Sequence, residues 1–161
     1  MNIFYLHTDP QRCAEMHCDK HVVKMILEYA QLLSTAHHVL DGEPSIECYK
    51  MTHKNHPSAI WARQTSDNYL WLHDLLCKLC AEYTVRYHKK HKVERSGLLE
   101  RLSQLPTNIV NDGTTPMPQC MPDDFKVDND SVSAYKKYYL YGKRDIAVWK
   151  YTDQPDWWFT T

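Results

Sequence analysis

Three side chains in the first third of the chain have the types and spacing for proton and amine chemistry. His21, Lys24 and Glu28 fall three and four residues apart, so a helix through them sets an imidazole, an amine and a carboxylate on one face. His17, Asp19 and Lys20 lie within about a turn of the same face. An uncharged amine can attack an electrophilic carbon, and a carboxylate or imidazole can carry the proton that must move. Lys20 and Lys24 stand four apart beside His21, and like charges that close favour proton loss from one of them. The α-amine of Met1 competes as a nucleophile, because an ordinary α-amine titrates near ~8 and a lysine near ~10.4. A solvated amphipathic helix would also place Lys and Glu four apart, and spacing alone leaves that alternative open.

His17 and His21 have the i, i+4 spacing of two metal ligands on a helix. A third ligand would have to come from His53, His56 or Asp19, and no second ligand pair at standard spacing is evident. The expectation is no bound metal and no cofactor. Cys77 and Cys80 form a CxxC inside an expected helix without a matching second pair, which reads as core packing. No phosphate-binding glycine loop, dinucleotide fingerprint, serine-nucleophile elbow or kinase signature is present, so nucleotide-hydrolysis and acyl-transfer chemistry have no anchor.

Three stretches suit a nucleic acid. Lys54, Asn55 and His56 immediately precede Pro57, a helix start, where an anion is favoured or where Asn55 or His56 caps the helix. Arg86 and Lys89 belong to a basic run ending at Lys92. Near the C-terminus, Lys136, Lys137, Tyr138, Tyr139 and Lys143 interleave cations with aromatic rings. Cations neutralise phosphates and exposed rings stack on bases, which points to DNA as the partner.

These residues need a scaffold, and the sequence reads as all-α. A short extended segment, 2–6, precedes a helix opening at Pro10. A second helix spans Asp19, as N-cap, to about His38, burying Val22, Val23, Ile26, Leu27, Ala30, Leu33 and Leu40. Short and long helices follow from Pro57 to Gln64 and from Thr65 or Ser66 to about His88, then a modest one over 94–102. Residues 106–130 form a long irregular loop, and Ser131 caps the last helix. The chain has 161 residues, 43% hydrophobic, with only four glycines. That suits one globular domain over 1–161 and disfavours a turn-rich β-sandwich. Net charge is −1 with ten histidines counted neutral, so support for DNA binding must come from local clusters. No apolar run approaches a membrane span and no signal peptide opens the chain, so a cytoplasmic, monomeric protein with reduced cysteines and no membrane partner is expected.

Taken together, Cys18-Asp19-Lys20-His21-Val22-Val23-Lys24, Glu28, Asn55-His56-Pro57 and Trp61 resemble a group of phage and bacterial proteins. Those belong to the pyrimidine-dimer DNA glycosylases of the phage endonuclease V type. The run from Tyr135 to Arg144 is similar to the aromatic and lysine-rich C-terminus of that type. The resemblance implies a helical fold and two-step chemistry: base excision, then strand cleavage through a Schiff base. It implies a nucleophilic α-amine on a small residue exposed by Met removal, assisted by a glutamate, arginines and a histidine. Here Asn2 is bulky, so Met1 is expected to stay. Asp19 and Glu28 are the candidate acids, and Lys20 and Lys24 stand where arginines would. Two other functions remain open from sequence: a non-catalytic nucleic-acid-binding accessory protein of a phage, and a metal-dependent enzyme acting on nucleotides.

Overall fold

The computed structural model describes residues 1–159. The fold is all-α: every regular element among the described residues is helical. Helix α1 spans Pro10–Met16, and Asp9 caps it by accepting from the Arg12 amide. Helix α2, Asp19–Asp41, buries Val22, Met25, Ile26, Tyr29, Leu32, Leu33 and Ala36. Val23 and Leu27, expected in the core, are 43% and 42% exposed. They sit one residue off the seam that the 3.6-residue period drives inward.

Helix α3, Pro57–Gln64, is capped by His56, and helix α4, Ser66–Tyr87, by the Thr65 hydroxyl. Tyr69, Leu72, Leu75, Leu76, Leu79 and Cys80 form the buried stripe of α4. Helices α1 and α2 both pack on α4, and α3 packs against α2 and α4. The helix expected over 94–102 is two single turns, α5 (Lys92–Arg95) and α6 (Leu98–Arg101), separated at Gly97 with φ of 83°. A left-handed residue cannot continue a helix, and glycine adopts it without steric cost.

Two expectations at the start of α2 are corrected. Asp19 is the first helical residue rather than the cap, which falls on Cys18 and makes no side-chain hydrogen bond. Its carboxylate instead accepts from Arg86 at 3.1 Å and from the Lys150 amide at 2.7 Å. Arg86, expected on a DNA-facing surface, is buried. Its guanidinium also pairs with Glu82 at 3.0 Å and donates to the carbonyls of Glu15 and His17 at 3.0 and 2.8 Å. A buried guanidinium requires this many partners, so Arg86 ties α4 to the α1–α2 junction and Asp19 ties down the C-terminal tail.

The segment 106–130 is irregular apart from one 3₁₀ turn, Asp123–Phe125. It is nonetheless anchored: the Asn68 side chain bonds the Thr115 amide and hydroxyl at 3.0 and 2.8 Å, and Trp61 Nε1 donates to the Thr115 carbonyl. Helix α7, Ser131–Lys137, is capped by Asp130, not Ser131. It widens into a π-turn over Tyr138–Gly142.

Candidate active site

The extended segment 1–6 runs past α2 and brings the chain's first atom to the face read from the sequence. The Met1 amine lies 3.0 Å from Glu28 Oε1, with both side chains largely buried. The second carboxylate oxygen, Oε2, is buried without a protein partner. Around the pair is a pocket of about 160 Å³. Lys24 and His21 line it from α2, Asn2 and Phe4 from the first segment, and Tyr138 and Lys143 from the C-terminal turn. Four predicted catalytic residues, Met1, His21, Lys24 and Glu28, are therefore brought together, with Tyr138 and Lys143 from the expected DNA-binding run.

Hydrogen bonds fix the position of the amine. Asn2 donates to the Cys120 carbonyl at 2.7 Å and accepts from the Tyr135 hydroxyl at 2.9 Å. The Phe4 amide donates to the Tyr29 hydroxyl at 3.0 Å. Tyr29 in turn meets His17 Nε2 at 2.8 Å, while His17 Nδ1 meets the Cys13 carbonyl at 2.7 Å. A carbonyl only accepts, so Nδ1 carries the proton and Nε2 accepts from Tyr29. Burial, reinforced by the Arg86 charge, pushes His17 down to about 4, which keeps that tautomer neutral. His17, a catalytic candidate from sequence, thus has both nitrogens engaged in holding the N-terminal segment. The i, i+4 histidine pair is not free for a metal, and among the described residues no three His, Cys, Asp or Glu side chains converge on one point.

His21 is set by a second tyrosine. The Cys18 amide donates to the Tyr139 hydroxyl at 3.3 Å, and that hydroxyl meets His21 Nδ1 at 2.6 Å. Burial first, then the charges of His17, Lys143, Lys24 and Lys20, lowers His21 to about 3. The other ring nitrogen, Nε2, is engaged by no described side chain. Phe4 stacks on the other side at 4.1 Å between centroids. His56 caps α3 through Nδ1, which accepts from the Ser58 amide at 3.0 Å. Its pKa is lowered by burial and then by the Met1 amine and His53, with Glu28 opposing, which puts His56 within electrostatic reach of the amine–carboxylate pair.

The remaining candidates scatter. Lys20 is exposed and does not line the pocket, and Asp19 is committed to Arg86. Tyr139, expected to stack on bases, is fully buried as the partner of His21. Lys54 and Asn55 are exposed just before α3, and Lys89 is exposed past the end of α4. Lys136 and Lys137 are half-buried, with the Lys136 ammonium 5.8 Å above the Trp157 ring. Cys77 and Cys80 are free thiols, Cys80 in the core. Sequence reasoning missed Asn2, Phe4, Tyr29 and the pocket role of Lys143. A larger cleft of about 700 Å³, walled by Tyr5, Trp61 and Trp71, contains none of the candidate catalytic or DNA-binding residues.

Fold and pocket together define a class: a helical protein that presents its own terminal amine to a carboxylate, flanked by lysines and a neutral histidine. The family model described as pyrimidine dimer DNA glycosylase matches residues 1–95. The chain belongs to that family, a family of DNA-repair glycosylases whose substrate is DNA. The matched segment contains Met1, His21, Lys24, Glu28 and His56, whereas Tyr138 and Lys143 lie beyond it. No curated protein and no solved structure gives a significant match.

Proposed function

We propose that this glycosylase is also an AP lyase working through a Schiff base on the Met1 α-amine. The observation that carries the reading is the 3.0 Å contact between that amine and Glu28 inside the pocket. In ordinary peptides an α-amine loses its proton more readily than a lysine side chain. Glu28 Oε1 is placed to take its proton, and the neutral nitrogen then attacks C1′ of the nucleotide. The N-glycosidic bond breaks, and the base leaves with the electron pair and takes the proton held by Glu28, which restores the carboxylate. The nitrogen gives a second proton to the ring oxygen, the C1′–O4′ bond breaks, and the sugar ring opens to an iminium on Met1. Loss of a C2′ proton to a carboxylate oxygen of Glu28 drives β-elimination, which breaks the C3′–O bond and expels the phosphate. Water then hydrolyses the Schiff base and restores the amine.

Lys24 and Lys143 flank the pocket and would neutralise phosphates on either side of the sugar. With Tyr139 donating to Nδ1, His21, kept neutral by burial, would offer an Nε2–H donor to the sugar oxygens or the departing base without adding charge. The Glu28→Gln variant tests the reading. It keeps the shape of the carboxylate and removes its basicity. Turnover on abasic DNA should fall at least a hundredfold while DNA affinity changes less than threefold. Unchanged turnover would exclude Glu28 from proton transfer, and no turnover in the unmodified chain would leave it as a binding protein on this scaffold.

A further inference from the structure

The C-terminal helix loses its α-helical pitch where it reaches the pocket. Tyr138–Gly142 is a π-turn, and the Lys143 amide donates to the carbonyl five residues back, on Tyr138, at 3.0 Å. Five residues of regular α-helix would set positions 138 and 143 about 140° apart around the axis. The wider turn brings them to one face. The Lys143 ammonium sits 5.0 Å over the Tyr138 ring, and both side chains line the pocket. Tyr138 is also stacked between two other rings, with Phe125 at 5.4 Å and Phe4 at 6.4 Å, both within 30° of parallel.

What lets the ring lie there is a missing methyl group. A Cβ on Gly142 would stand 2.6 Å from Tyr138 Cδ1, 2.8 Å from Cε1 and 3.1 Å from Phe125 Cε2. The backbone of Gly142 does not require positive φ, so space rather than conformation is what glycine supplies here. With Gly142 and Phe125 behind the ring, the way out for a displaced Tyr138 is toward Phe4 and the pocket. At about 160 Å³ the pocket is already small against the roughly 300–1,000 Å³ of ordinary small-molecule sites.

We infer that Gly142 is a positioning residue: by seating Tyr138 in the π-turn it sets the width of the pocket, and so whether a nucleotide that still carries its base can be processed. A bare abasic sugar needs less room than a base-bearing one, so the two substrates separate the effect. The substrate arm of this inference rests on the lyase reading above; the seating of the ring does not.

The test compares wild type, Gly142→Ala, Tyr138→Ala and the double variant in the full chain. Single-turnover rates are measured on abasic DNA and on DNA carrying a pyrimidine dimer. Gly142→Ala should slow the dimer substrate at least tenfold and the abasic substrate less than threefold. The double variant should match Tyr138→Ala, because the clashing ring is gone; it also supplies a folded comparison should Gly142→Ala alone prove unstable. Without DNA, amide spectra of Gly142→Ala should shift at Phe4, His21 and Lys143. Equal losses on both substrates, an undiminished Gly142→Ala effect in the Tyr138→Ala background, or unshifted spectra would overturn the inference. Shifted spectra with no turnover in wild type or any variant would uphold the seating of Tyr138 and defeat the lyase reading instead.

Discussion

Acid should unfold this protein well above the range in which carboxylates titrate. His17 and His21 are buried and neutral, pushed down to about 4 and about 3, against about 6.5 for an ordinary histidine. Between those values the unfolded chain binds two protons that the folded chain refuses, so stability falls as pH falls. Each histidine contributes up to ~1.4 kcal/mol per pH unit in that window, and going from pH 7.5 to 5.0 costs about 2 kcal/mol for each. The combined ~4 kcal/mol is a large part of the ~5–15 kcal/mol of a typical domain. His37, His56 and His91 are also lowered by burial and act in the same direction. Urea unfolding at a series of pH values measures the slope, and His17→Gln should remove close to half of the part due to these two residues. A flat profile between pH 7.5 and 5.0, or a loss that begins only below pH 4, would refute the reasoning.

Other consequences follow from the same geometry. Tyr29→Phe strands the Phe4 amide and His17 Nε2 in the core, at roughly 1–3 kcal/mol for each unmade bond; thermal denaturation and amide exchange at Phe4 report it, and turnover should fall more than DNA affinity. Arg86→Ala leaves Asp19 and Glu82 without their buried partner, costing about 3–5 kcal/mol, yet should not change the salt dependence of DNA binding, which a DNA-contacting arginine would. Lys24→Ala combined with Lys143→Ala should flatten the log–log salt slope by up to about 0.9 for each phosphate no longer neutralised; an unaltered slope would place the DNA elsewhere.

The site was half legible in the sequence because its carboxylate, imidazole and one amine share a helix face. Helical period alone aligns His21, Lys24 and Glu28. It cannot say that a terminal segment will return to that face, since this depends on tertiary bonds from Asn2 to Cys120 and from Phe4 to Tyr29. Charge runs were the weakest guide. Arg86 and Tyr139 sit in sequences that look like DNA-binding tracts, but burial commits the first to Asp19 and Glu82 and the second to His21. Helix existence followed from start signals such as the Thr65 cap and Pro57 in the first turn, while the break at Gly97 and the π-turn at Tyr138 depended on tertiary context. Neither Gly97 nor Gly142 could be told from a tolerated helical glycine by pattern alone.

The proposed mechanism stands or falls on the first atom of the chain doing the chemistry. The decisive experiment is borohydride reduction during reaction with abasic DNA, followed by proteolysis and mass spectrometry of the cross-linked peptide. A single reduced adduct is expected on the N-terminal peptide, carried by the Met1 nitrogen and strongly diminished in Glu28→Gln. An adduct on Lys20 or Lys24, or none at all from protein that binds the DNA, would rule the mechanism out.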